Sequence, residues 1–144
     1  MATVADIISE KGSIAHSVEP EATVYEAIEK MVHNNVGALL VVKDGALVGI
    51  VTERDYLRRI AVEGRTSKGT RVFEIMTSRP YTVTLSTDVE RCMQTMTERR
   101  IRHLPVLSGS RIAGVVSIGD IVKNLIQEQA THIEHLTEYI QGRA

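Results

Sequence analysis

The sequence predicts an α/β fold in which one β-α-β-β-α unit is used twice and is followed by a helical extension. Three observations carry that expectation. The chain matches itself at a shift of 65 residues. Each copy holds an apolar stripe at helical spacing, followed by two short apolar runs. Each copy then places a hydroxyl residue three positions before an aspartate.

The repeat sets the register for everything else. Residues 22–57 fall on 87–122 without a gap, and seven of the 36 pairs are identical: Val24/Val89, Met31/Met96, Leu39/Leu104, Val41/Val106, Gly49/Gly114, Val51/Val116 and Asp55/Asp120. Other pairs exchange like for like, among them Ile28/Met93, Val36/Ile101 and Thr52/Ser117. Upstream, Val4–Ile8 resembles Val72–Met76 at a shift of 68. Residues 1–66 are therefore assigned to the first repeat with its N-terminal segment, 67–126 to the second, and 127–144 to a C-terminal helical tail.

Each unit opens with a short β segment, Ala15 to Val18 or Tyr81 to Val83. An amphipathic helix follows. Val24, Ala27, Ile28, Met31 and Val32 form its buried stripe, with Thr23 and Glu26 as a capping box. Val89, Cys92, Met93 and Met96 make the matching stripe. Two strands come next. Leu39 to Val42 and Leu47 to Val51 are joined through Asp44-Gly45, a strong hairpin signal. Leu104 to Leu107 and Ile112 to Val116 are joined through Ser108-Gly109-Ser110. Such continuous apolar runs predict strands covered on both faces. Second helices start near Thr52 and Ser117, the latter running to about Gln141. The polar stretch 63–71 reads as the connecting loop. One copy cannot cover both faces of its strands, so the two pack face to face about a pseudo-twofold axis.

Composition narrows the function. Lysine and arginine number 17 against 18 acids, and the chain carries one Phe, four Tyr and no Trp. Nucleic-acid binding draws on a basic surface and on stacking aromatics, so no nucleic-acid partner is expected. The longest apolar run, Val36 to Val42, is too short to span a bilayer, so no membrane partner is expected. A single cysteine, Cys92, excludes an internal disulfide and fits a reducing compartment. A cytoplasmic location is the expectation.

The most informative motif is Gly49-Ile50-Val51-Thr52-Glu53-Arg54-Asp55, matched by Gly114-Val115-Val116-Ser117-Ile118-Gly119-Asp120. Each sets a hydroxyl and a carboxylate where a strand passes into a helix. One reading is a capping box, in which hydroxyl and acid satisfy the free amides of the first turn. The other is a ligand site, since a carboxylate accepts hydrogen bonds from neighbouring ribose hydroxyls and a helix start holds phosphate. The two are compatible. Repetition of the whole junction at one fixed shift favours the ligand reading.

With Arg102-His103-Leu104-Pro105-Val106, these motifs make the chain resemble a tandem cystathionine-β-synthase (CBS) domain pair, or Bateman module, over about Val4 to Ile126. The tandem layout is similar to the small stand-alone bacterial members. The resemblance implies an adenosine nucleotide (AMP, ADP, ATP or NAD) in clefts between the copies. It carries ribose and phosphate roles to Thr52 and Asp55 in one cleft and to Ser117 and Asp120 in the other. It places the base against main chain near His16 to Val18 with Gly37, Ala38 and Leu39, and near Tyr81 to Val83 with His103 to Pro105. It also implies pairing into homodimers and an unidentified regulated protein as partner.

Phosphates call for cations. Arg54 and Arg102 are the leading candidates, with Lys68 and Arg71 of the connecting loop behind them. His132, His135 and Glu128 share one face of the last helix at a spacing that suits a metal, but a solvated or dimer-facing helix accounts for them, and no metal is expected. Cys92 reads as a small packed hydrophobe. No Gly-x-Ser-x-Gly, Walker loop, His-Glu-x-x-His or Gly-x-Gly-x-x-Gly occurs, so no enzyme activity is expected. The alternatives are an interaction module whose nucleotide is structural, a small nucleotide-processing enzyme, and a nucleic-acid binder.

Overall fold

The computed structural model describes residues 2–141. Its elements run α1 (Val4–Lys11), β1 (Ser17–Val18), α2 (Val24–Asn34), β2 (Ala38–Lys43), β3 (Ala46–Thr52), α3 (Glu53–Tyr56), β4 (Thr77–Ser78), α4 (Val89–Arg99), β5 (His103–Ser108), β6 (Arg111–Ser117) and α5 (Ile118–Ile140). A π-helical turn, Leu57–Ala61, continues α3, and a short 3₁₀ turn occupies Val72–Glu74.

The two hairpins form as their sequences predict. In the first, Asp44 and Gly45 both take positive φ, 52° and 80°. That is the twist a two-residue turn needs to match the strands it joins. In the second, Gly109 supplies the positive φ at 64°. The central residues Leu39, Leu40 and Val41 are all buried, as are Leu104, Pro105 and Val106, so both faces of each hairpin are covered. β1 runs parallel to β2, pairing Ser17 with Leu40 and Val18 with Val41. The second lead-in is shorter than the expected Tyr81–Val83 strand: only Val83 pairs, with Val106.

The two cores cross over in sequence. Val24, Ala27 and Met31 of α2 pack with Leu39, Val41 and Val51, and this core is completed by Val72 and Ile75 from beyond the connecting loop. Val89, Cys92 and Met96 of α4 pack with Leu104, Val106 and Val116, and this core is completed by Val4 and Ile7 of α1. The main chain repeats the exchange. The Val4 and Ala5 amides donate to the Thr87 and Leu85 carbonyls, and the Val72 and Phe73 amides donate to those of Ala22 and Pro20. The N-terminal segment thus belongs physically to the second core, although it adjoins the first repeat in sequence.

Two glycines let the exchanged segments approach. A Cβ at Gly49 would lie 2.8 Å from the Thr77 carbonyl oxygen, and one at Gly114 would lie 2.8 Å from Ile8 Cδ1. Thr77 and Ser78 accordingly add β4 to the first sheet, pairing with Ile50 and Gly49.

Candidate functional site

Each hairpin ends where a strand hands over to a helix, and the same cap forms at both junctions. In the first, the Asp55 amide donates to Thr52 Oγ1 at 3.2 Å, and the Thr52 amide donates to Asp55 Oδ2 at 2.9 Å. In the second, the Asp120 amide donates to Ser117 Oγ at 3.2 Å, and the Ser117 amide donates to Asp120 Oδ2 at 2.8 Å. These reciprocal bonds satisfy amides that the first helical turn leaves open. They also fix each carboxylate by one oxygen. Among the described residues, Oδ1 of both aspartates takes no protein donor. Each junction therefore presents an oriented, unused acceptor.

The remaining bond to Oδ2 differs between the copies. At Asp55 it comes from the Thr52 hydroxyl at 3.1 Å. At Asp120 it comes from the ammonium of Lys11 at 2.7 Å, which also donates to the Val115 carbonyl at 2.9 Å. The carboxyls respond accordingly. Burial pushes Asp55 up, and the Thr52 bonds with the charges of Arg59 and Arg58 do not fully offset it. Burial also pushes on Asp120, but the Lys11 and Ser117 hydrogen bonds outweigh it and hold that carboxyl below its usual value.

The flanks of the two junctions converge. Ala38 pairs with Thr52, and His103 pairs with Ser117. A Cβ at Gly37 would fall 2.7 Å from Glu53 Oε1 and 3.7 Å from His103 Cε1, so the start of α3 and the start of β5 lie together. Burial pushes His103 down, against the raising charges of Glu53 and Asp120 and with the added effect of Lys11 and Arg102.

The other sequence candidates scatter. Arg54 crosses between the repeats, its Nη1 donating to the Arg100 carbonyl at 3.0 Å. Arg71 donates to the Glu21 carbonyl at 3.1 Å and caps the 3₁₀ turn with Glu74, engaging neither motif carboxylate. Arg102 is exposed, and its carbonyl accepts from the Ile118 amide at 2.9 Å. Pro105 is buried, and its carbonyl accepts the Val83 amide at 3.0 Å. Val83 itself sits in the second core. Val18 is half-buried and lines an open groove of about 640 Å³ with Glu26, Lys30 and Asp44. A second groove of about 620 Å³ is lined by Tyr25, Tyr56, Ile60, Arg65 and Lys68. Neither groove includes a motif residue. Among the described residues, no three His, Cys, Asp or Glu side chains converge as metal ligands. Among the described residues, no helix is long and apolar enough to cross a membrane.

Lys11 is the functional candidate that sequence reasoning missed. As the last residue of α1 it reads locally as a cation at a helix C-terminus. Only the packing of α1 on the second core brings it to Asp120, 109 positions away.

The fold and the twin capped junctions define a tandem-repeat α/β architecture with two related strand-to-helix junctions. The chain belongs to the CBS domain family, whose pattern matches residues 4–62 and 72–127. It is 47% identical to the mitochondrial CBS domain-containing protein CBSX3 of Arabidopsis thaliana, over 97% of this chain and 72% of that one. Among solved structures it is similar to a CBS-domain protein of Burkholderia ambifaria, with TM-score 0.86, 46% identity and coverage of 89% and 96% of the two chains. It is also similar to the CBS domain pair of protein MJ0100, solved with 5′-methylthioadenosine and S-adenosyl-L-methionine. That match has TM-score 0.77, 25% identity and coverage of 89% and 98%.

Proposed function

We propose that this chain is a non-catalytic regulatory module that binds an adenosine nucleotide, AMP, ADP, ATP or NAD, at the two capped junctions. The observation that carries the reading is the pair of aspartates, each fixed through Oδ2 and each presenting a free Oδ1 at matching strand-to-helix junctions. A ribose offers the hydroxyl donors such an acceptor takes. The adenosine ligands of the MJ0100 pair support the ligand class. Ligand binding biases the arrangement of the two repeats by its difference in affinity for each arrangement. In this reading the module works in a reducing compartment such as the cytoplasm and signals to a regulated protein. It pairs with a second copy through the apolar residues exposed on α4 and α5, among them Met93, Val122, Ile126 and Leu136.

The test is calorimetric titration with AMP, ATP and NAD in turn, on the parent protein and on Asp55→Ala and Asp120→Ala. A bond to a charged acceptor contributes about 1.5–3 kcal/mol, roughly 10- to 150-fold in affinity. Each substitution is expected to remove one binding event or weaken it by that factor. Unchanged binding in both variants would sink the site assignment. No heat from nucleotide-free protein would favour a pure interaction module.

A further inference from the structure

The two capped junctions, which form the two clefts of the nucleotide-binding reading, differ in what holds Oδ2 of the motif aspartate. In the first, the partner beyond the cap amide is the Thr52 hydroxyl, a neutral donor that turns away by rotating one bond. In the second, that place is taken by the Lys11 ammonium, at 2.7 Å and bonded at the same time to the Val115 carbonyl. Withdrawing a charged donor from a part-buried carboxylate costs more than turning a hydroxyl.

The seam that delivers Lys11 is incompletely satisfied. α1 lies along α5, with Lys11 on Asp120 and Glu10 accepting from Gln127 at 3.1 Å. Asn124 stands between these contacts on the same face of α5, four residues past Asp120 and three before Gln127. Its Oδ1 is buried with no hydrogen-bond partner. A buried acceptor without a donor weakens a closed seam.

We infer that Lys11 is an internal competitor for the second cleft, so that nucleotide fills the Asp55 cleft first and enters the Asp120 cleft by displacing Lys11 and loosening α1. This rests on the nucleotide-binding reading above. In it, a ribose that makes two bonds to a motif carboxylate takes Oδ1 freely in both clefts. It takes Oδ2 against a hydroxyl in one cleft and against a lysine in the other. α1, which completes the second core through Val4 and Ile7, then reports occupancy of that cleft.

The test isolates the second cleft with Asp55→Ala and titrates AMP, ATP and NAD into that variant with and without Lys11→Met. Removing the competitor is expected to tighten second-cleft binding at least threefold, and Lys11→Arg to restore the weaker value. Hydrogen exchange on the parent protein, which needs no variant, is expected to show faster exchange of the α1 amides once the second cleft fills. Unchanged or weaker binding on Lys11→Met, with α1 exchange unaltered by nucleotide, would overturn the competition while binding at Asp55 stands. Absence of binding at either cleft in every variant removes the nucleotide reading and this inference with it.

Discussion

Asp55 and Asp120 occupy matching junctions 65 residues apart and make the same reciprocal cap. Yet burial raises the first carboxyl, while Lys11 and Ser117 hold the second below its usual value. The cap is written in four consecutive residues and survives duplication. The charge environment is assembled from distant segments and does not. A duplicated fold thus keeps its geometry more faithfully than its electrostatics, and the two junctions present different charge environments.

The largest expected effects test whether the repeats are equal as structures. Leu39 and Leu104 are equivalent, nearly fully buried residues of the two cores. Leu39→Ala and Leu104→Ala should each cost about 2–5 kcal/mol. Urea unfolding would measure this. Two similar losses in a single transition support one cooperative unit, whereas two separate transitions would break the symmetry at the level of the fold.

The pH dependence should then separate the two sites by sign. Asp55 binds its proton more readily in the folded state, so its contribution becomes less favourable as pH rises from the usual aspartate value through its folded value. Asp120 behaves oppositely. It contributes stability above the usual aspartate value and loses it as pH falls through its lowered folded value. The stability difference between parent and Asp55→Asn should therefore shrink or reverse with rising pH, while that between parent and Asp120→Asn should grow. Thermal melts across the acid range would show it, and slopes of the same sign would refute the contrast.

The smallest effect concerns how the helices end. α2 stops at Asn35 and α4 at Arg100, both left-handed, with φ near 53° and 55°. Asparagine tolerates that conformation and arginine does not share its advantage. Arg100→Gly should stabilise by about 0.5–1 kcal/mol, and Asn35→Gly by less. The Arg54 bond to the Arg100 carbonyl survives the change because it uses main chain. A midpoint for Arg100→Gly at or below the parent's would count against relief of backbone strain.

Much of this was legible in the chain. The shift of 65 residues located both helices, both hairpins and both capped aspartates, because each depends on neighbours within a few positions. The likeness of Val4–Ile8 to Val72–Met76 was also visible. Its meaning was not, since sequence similarity says that two segments play one role without saying which core each serves. Lys11 was hidden for the same reason. Nothing near it mentions Asp120, and its counterpart cation for Asp55 comes from Arg59, on the same helical stretch. The π-helical turn at Leu57–Ala61 also escaped, because the apolar spacing there resembles that of an ordinary helix.

The exchange of segments between the cores has a consequence for synthesis. Translation delivers α1 well before the strands, α4 and Ile121 that surround Val4 and Ile7. The first core likewise waits for Val72 and Ile75. Contacts this far apart in sequence slow folding and leave apolar surface open while the chain grows. On the ribosome, α1 waits for the second repeat before it finds its place, and neither repeat can be finished before the other has begun.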